Sequence, residues 1–143
     1  RAKSMAQALT DFLAEAVRRQ FRWGQHDCML FAADWARALT GVDPAASLRG
    51  AYDSRCAAEI LIERFGGHEA LVGRLLEGSG WTRVAEPRAG NIGIVTVPTR
   101  QHPNGGVAAA VCTGRRGTSW ALVTSRGLYI GAAPHVAAWV HHG

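Results

Sequence analysis

The chain changes its hydrophobic rhythm near the middle. Between residues 7 and 19, apolar side chains at Leu9, Phe12, Leu13, Ala16 and Val17 recur at the spacing of one helix face. That spacing predicts an amphipathic helix, with Arg18, Arg19 and Arg22 crowding its C-terminal end, where cations suit the helix dipole. A second helix is expected to open at Asp27, a good N-cap residue, and to stop at Gly41 before the turn Gly41-Val42-Asp43-Pro44. A third opens at Asp53 or Ser54, carries Ala57, Ile60, Leu61 and Phe65, and ends at Gly66-Gly67. A short fourth covers residues 69–76 and closes at Gly78.

Beyond residue 78 the period shortens. Runs at 81–84, 92–97, 106–112, 119–124, 128–130 and 136–140 are apolar or alternating, and Pro, Gly and Asn separate them. They predict six short strands. The expected fold class is therefore α+β, with N-terminal helices packed on a C-terminal antiparallel sheet or small barrel. At 143 residues and 48% apolar content the chain is expected to form one domain, helical over 5–78 and strand-rich over 79–143. Residues 1–4 carry no pattern ahead of Met5 and are expected to be an expression remnant.

Charge narrows the chemistry. The formal net charge is +5, falling to +3 if Arg1 and Lys3 are set aside with that remnant. Lys3 is the only lysine, so a native lysine nucleophile, Schiff base or P-loop lysine is excluded. No run approaches the ~18–20 apolar residues of a membrane span, and no signal-peptide order opens the chain, so a soluble protein is expected. The three cysteines, Cys28, Cys56 and Cys112, are far apart and odd in number, which fits reduced thiols in a reducing compartment. No Cys-x-x-Cys supports a structural zinc, and neither metal nor cofactor is expected.

Cys28 is the residue with the most to say. On its helix it shares a face with Phe31, Ala32, Trp35 and Leu39, the side expected to meet the sheet. At a helix start it also lies in the positive end of the dipole, beside unpaired backbone N–H groups that favour thiolate. Both conditions suit a nucleophile. Cysteine is also among the most buried residue types, so a packing residue fits the same position. Cys56, in the first turn of the third helix and in line with Ile60, and Cys112, at the end of the strand Gly106-Val107-Ala108-Ala109-Ala110-Val111-Cys112, are both expected in the core.

The run Phe21, Trp23, Gly24, Asp27, Cys28, followed by Ala33-Asp34-Trp35, Thr40-Gly41, Asp43-Pro44, Gly50 and Tyr52, resembles a phage- and prophage-associated family of uncharacterised domains encoded among tail genes. That family is distantly similar to NlpC-type, papain-like cell-wall cysteine peptidases. The likeness continues through Ala89-Gly90-Asn91-Ile92-Gly93-Ile94-Val95 and the strand 106–112 to Trp139. It implies a papain-like fold with Cys28 at the nucleophile position. The peptidases follow that cysteine with Ser-Gly, where this chain has Met29-Leu30, and open a strand with Pro-Gly-Asp, where it has Ala89-Gly90-Asn91. Their base histidine begins a strand at the position that Gly106 occupies here. A thiol hydrolase needs a base within hydrogen-bond reach of sulfur. His102, in the preceding loop, is the best substitute, and His135, at the start of the last strand, is the next. His26 is expected to point away from the first-turn core face, and all three are residues that commonly end exposed. Asp27 is expected to be an N-cap rather than a third catalytic member.

Other chemistries lack parts. Gly67-His68-Glu69-Ala70-Leu71 would need histidine at Val72 to bind zinc as a His-Glu-x-x-His protease does. Serine-hydrolase, nucleotide-binding and base-deaminase signatures do not occur. His141 and His142 are adjacent on a strand and so face opposite ways. Arg18, Arg19, Arg22, Arg115 and Arg116 read as a solvated rim, because no aromatics interleave with them as nucleic-acid binding would require. Trp23, Trp35, Trp81, Trp120 and Trp139 read as core. The resemblance thus implies one of two functions. One is a degenerate tail or tail-tip assembly component with phage tail proteins as partners, present in the bacterial cytoplasm during assembly or in the virion tail. The other is a cysteine hydrolase of peptidoglycan peptides, and the strand glycine favours the first.

Overall fold

The computed structural model describes residues 3–97, 106–114 and 118–142. The first helix, α1, runs Met5–Ala16, because the Ser4 side chain accepts the Gln7 N–H and starts it two residues earlier than its apolar spacing suggests. It also ends earlier, and Arg19 leaves the helix path to reach the Asp34 carboxylate at 3.0 Å. The Phe12 ring packs on Phe31 and Trp35 at 5.2 and 5.4 Å, joining α1 to the second helix.

That second helix, α2, covers Cys28–Thr40 and is the centre of the molecule. Asp27 caps it by accepting the Leu30 N–H at 3.0 Å, and Gly41 ends it at φ 81°, the left-handed conformation glycine adopts without strain. Every residue from Met29 to Ala36 is buried, Asp34 included. A carboxylate there needs partners, and Arg19 and Arg49 supply them at 3.0 and 2.8 Å. A 3-10 turn at Ala46–Leu48 leads to α3 (Arg55–Arg64), capped by Ser54, and then to α4 (His68–Glu77).

The second half forms one antiparallel sheet from β1 (Trp81–Arg83), β2 (Ile92–Val97), β3 (Gly106–Cys112), β4 (Ser119–Thr124), β5 (Gly127–Ala132) and β6 (His135–His141), in the order β1-β6-β2-β3-β4-β5. The barrel alternative is not what forms: β1 and β5 are the two edges of an open sheet. The ladder is also uneven. β4 pairs with β3 only at Val111↔Ala121 and Cys112↔Trp120, and the register shifts in β2 between Ile94 and Val95.

Both faces of the sheet are packed. Ile92, Ile94, Ala109, Val111, Ala137 and Trp139 join the helices, whereas Val95, Ala108, Ala110, Cys112, Trp120 and Ala138 form a second cluster. The alanines of β3 thus serve two apolar environments at once, which explains a strand with so little side chain. Gly93 is needed for a related reason, since a Cβ there would lie 2.6 Å from the Trp120 ring and 2.9 Å from the Ala137 carbonyl. Among the described residues no helix is long and apolar enough to cross a membrane.

Two burial expectations fail. Cys56 is exposed, and Ile60 beside it is 50% exposed, because α3 turns Ala58 rather than the Cys56 face inward. His26 is not exposed at all. It is 3% accessible, tucked against the edge of Phe31 with ring centroids 6.3 Å apart. Cys112 is buried as expected, and so are Trp35, Trp81, Trp120 and Trp139, while Trp23 is half-buried.

Candidate functional site

Cys28 is the first residue of α2, and the conformation that presents it is set by Asp27. One oxygen of that carboxylate accepts the Leu30 N–H, and the other accepts the Gly24 N–H at 2.9 Å and the Tyr52 hydroxyl at 2.7 Å. Asp27 is 1% exposed, so these bonds replace its hydration. Tyr52 is locked in return, its hydroxyl held protonated by burial and by the carboxylate it donates to. Gly24 sits at φ 76°, and a Cβ on it would fall 1.9 Å from the Tyr52 carbonyl. The Gly-x-x-Asp-Cys spacing is therefore a backbone device: it lets the chain turn tightly enough to cap the helix that carries the thiol.

The thiol opens on a cavity of about 500 Å³. Trp23 and Met29 stand on the α2 side, Ala58, Glu59 and Ile62 come from α3, and His68 from the start of α4. Val97, Gly106 and Val107 complete it at the ends of β2 and β3. Gly106 thus faces the same cavity as Cys28.

The electrostatics do not favour a thiolate. The Cys28 thiol is pushed up to about 11, first by burial and then by the neighbouring Asp27 charge. Backbone N–H groups of Ala109, Met29 and Cys28 itself hydrogen-bond toward the sulfur and pull the other way, but burial prevails. The Ala109 donor is available where β4 has parted from β3, so the start of α2 takes up that part of the strand edge.

The histidines divide. His135 is exposed, with a ring nitrogen 3.3 Å from the Ala85 carbonyl, and does not line the cavity. His102 lies outside the described residues, as do Arg115 and Arg116. His26 packs against Phe31 rather than lining the cavity. Among the described residues the imidazole that shares the cavity with Cys28 is His68, which burial holds below the ordinary histidine range against the opposing pull of Glu59. Sequence spacing gave no sign of this, since residues 28 and 68 meet only through the packing of α3 and α4. Its place as the first residue of a helix after Gly66-Gly67 was the one available clue.

Comparison with curated proteins found no match, and comparison with solved structures found none either. A family model does match, over residues 1–140, and covers the cap, the cysteine helix and all of the sheet but the last residue of β6. The chain belongs to that family, described as Domain of unknown function (DUF6950).

Proposed function

We propose that this domain is a phage- or prophage-tail component of papain-like, NlpC-type arrangement that has kept the cysteine cavity as a binding site and lost hydrolysis. Its partners are other tail proteins, a segment of which enters the cavity, and it acts in the bacterial cytoplasm during tail assembly or within the virion tail. The observation that carries the loss of chemistry is the environment of Cys28. Among the described residues the groups that hydrogen-bond to its sulfur are backbone donors, and the half-buried thiol, pushed up to about 11, stays protonated at pH 7. Asp27 is fully committed to capping, with three hydrogen bonds, and is not free to orient a base. The mainly apolar walls, Trp23, Met29, Ile62 and Val107 among them, suit an inserted side chain.

One observation favours the alternative, a cysteine hydrolase of cell-wall peptides. His68 and Glu59 line the same cavity as Cys28 and supply an imidazole and a carboxylate. Two assays on one preparation separate the readings. Soluble muropeptides are incubated with the protein and with Cys28→Ala, and tail proteins encoded beside the gene are tested for complex formation with wild type, Trp23→Ala and Ile62→Asp. The proposal expects no turnover, and complexes that both cavity variants weaken. Turnover that Cys28→Ala abolishes overturns it in favour of the hydrolase.

A further inference from the structure

The turn that precedes α2 contains a buried group with no evident structural use. His26 is 3% exposed, and neither ring nitrogen has a hydrogen-bond partner. Its backbone bridges Arg22, with the Arg22 N–H donating to the His26 carbonyl at 2.9 Å and the His26 N–H to the Arg22 carbonyl at 2.8 Å. The turn so formed holds Trp23, a wall of the cavity, and Gly24, which donates to Asp27. Beyond these bonds it is anchored by the Gly50 N–H donating to the Gly24 carbonyl.

A neutral imidazole tolerates this site, with the Phe31 edge beside it. An imidazolium does not. The charged groups that face it are Arg19, which repels it, and Asp34 and Asp27, which attract it. Both carboxylates are already engaged, Asp34 by Arg19 and Arg49 and Asp27 by Leu30, Gly24 and Tyr52. No hydrogen bond joins the ring to either carboxylate, so a proton on His26 gains no partner where the ring lies, and hydrating the charge requires the turn to open.

We propose that His26 makes the turn over residues 22–26 an acid-sensitive latch on the Cys28 cavity: when the buried imidazole takes up a proton the turn lets go, loosening the Asp27 cap and the Trp23 wall. The direction follows from linkage. Burial, reinforced by Arg19, lowers the affinity of His26 for a proton in the closed state. The closed state then binds fewer protons than the open one, so closure is at full strength above the ordinary histidine value of ~6.5 and weakens as pH falls below it. As regulation of access, the latch rests on the cavity being the binding site proposed above; its opening is read on the thiol itself, so the two ideas fail separately.

The test is labelling with 4,4′-dithiodipyridine, which reacts with thiols in acid, followed cysteine by cysteine by mass spectrometry between pH 7.5 and 5. Exposed Cys56 is the reference, and Cys112, buried in the sheet, reports global unfolding. The expected result is a Cys28-to-Cys56 rate ratio that climbs below pH 6.5, by at most about tenfold per pH unit for one proton, while Cys112 stays slow. In His26→Gln and His26→Phe the ratio stays flat. A flat ratio in the wild type, an equal climb in both variants, or Cys112 rising together with Cys28 overturns the latch. A cavity that opens in acid yet binds no tail protein refutes the function and leaves the latch standing.

Discussion

Replacing Asp27 by alanine tests the construction of the site most severely. The carboxylate accepts three hydrogen bonds, from Leu30 N–H at 3.0 Å, Gly24 N–H at 2.9 Å and the Tyr52 hydroxyl at 2.7 Å, and it is 1% exposed. Loss of the N-cap alone costs about 1 kcal/mol. The Gly24 N–H and Tyr52 hydroxyl are then left without their acceptor in a buried place, at about 1–3 kcal/mol each. The total expected for Asp27→Ala is about 3–7 kcal/mol, or a fall in Tm on the order of 10–25 °C for a chain of this size. Asp27→Asn keeps an oxygen for Leu30 and the volume, but turns a donor toward Gly24, and should lose about 2 kcal/mol. Equilibrium urea denaturation followed by tryptophan fluorescence measures both. Removing the negative charge beside Cys28 also takes away one of the causes that raise its thiol, so both variants should ionise Cys28 at lower pH than the wild type does. A loss below ~1.5 kcal/mol in Asp27→Ala would mean that Asp27 is only a helix cap, and would refute the argument that it binds the Gly24 turn and Tyr52 into one unit.

Other outcomes follow from the same packing. Tyr52→Phe removes one of the two donors to a single Asp27 oxygen and should cost about 1–2 kcal/mol in the same denaturation assay. Gly93→Ala forces a methyl to 2.6 Å from the Trp120 ring and should destabilise by about 2–3 kcal/mol, whereas Gly41→Ala, with nothing within 4 Å of its Cβ, should lose only about 1 kcal/mol from its φ of 81°. Equal losses at the two glycines would contradict the close approach of β2 to Trp120. Asp34→Asn leaves Arg19 and Arg49 without their shared carboxylate and should cost about 2–4 kcal/mol at pH 7.

Local rules account for much of the fold, and tertiary contacts for the rest. The strands β2, β3 and β4 are legible because their apolar runs are bounded by Gly, Pro or Asn, and the cap at Asp27 and stop at Gly41 are backbone chemistry written in single residues. β5 is longer than its apolar residues suggest because pairing with β4 recruits Gly127, Gly131 and Ala132, residues of low strand propensity. The orientation of α3 was not legible. Its apolar residues lie on more than one face, and only the cavity and α4 decide that Ala58 and Ile62 turn inward and Cys56 outward. His26 was misjudged because a residue just before an N-cap is usually solvated; the bridge to Arg22 folds it under the turn instead. The site itself was half legible: Cys28, Asp27, Gly24 and Tyr52 stand in one stretch, whereas His68 and Glu59 reach the cavity from helices with no spacing in common with Cys28.

The measurement that bears most directly on the central claim is the pH dependence of iodoacetamide labelling of the native protein, resolved at Cys28, Cys56 and Cys112. A thiol pushed up to about 11 holds roughly one-hundredth of the thiolate of an ordinary one at pH 7, and its greater basicity returns about a factor of ten. Cys28 should therefore label more slowly than exposed Cys56, and its rate should still be rising above pH 9. Labelling of Cys28 that outruns Cys56 and persists well below pH ~8.5 would mean an activated thiolate, and the domain would have to be treated as a working cysteine hydrolase.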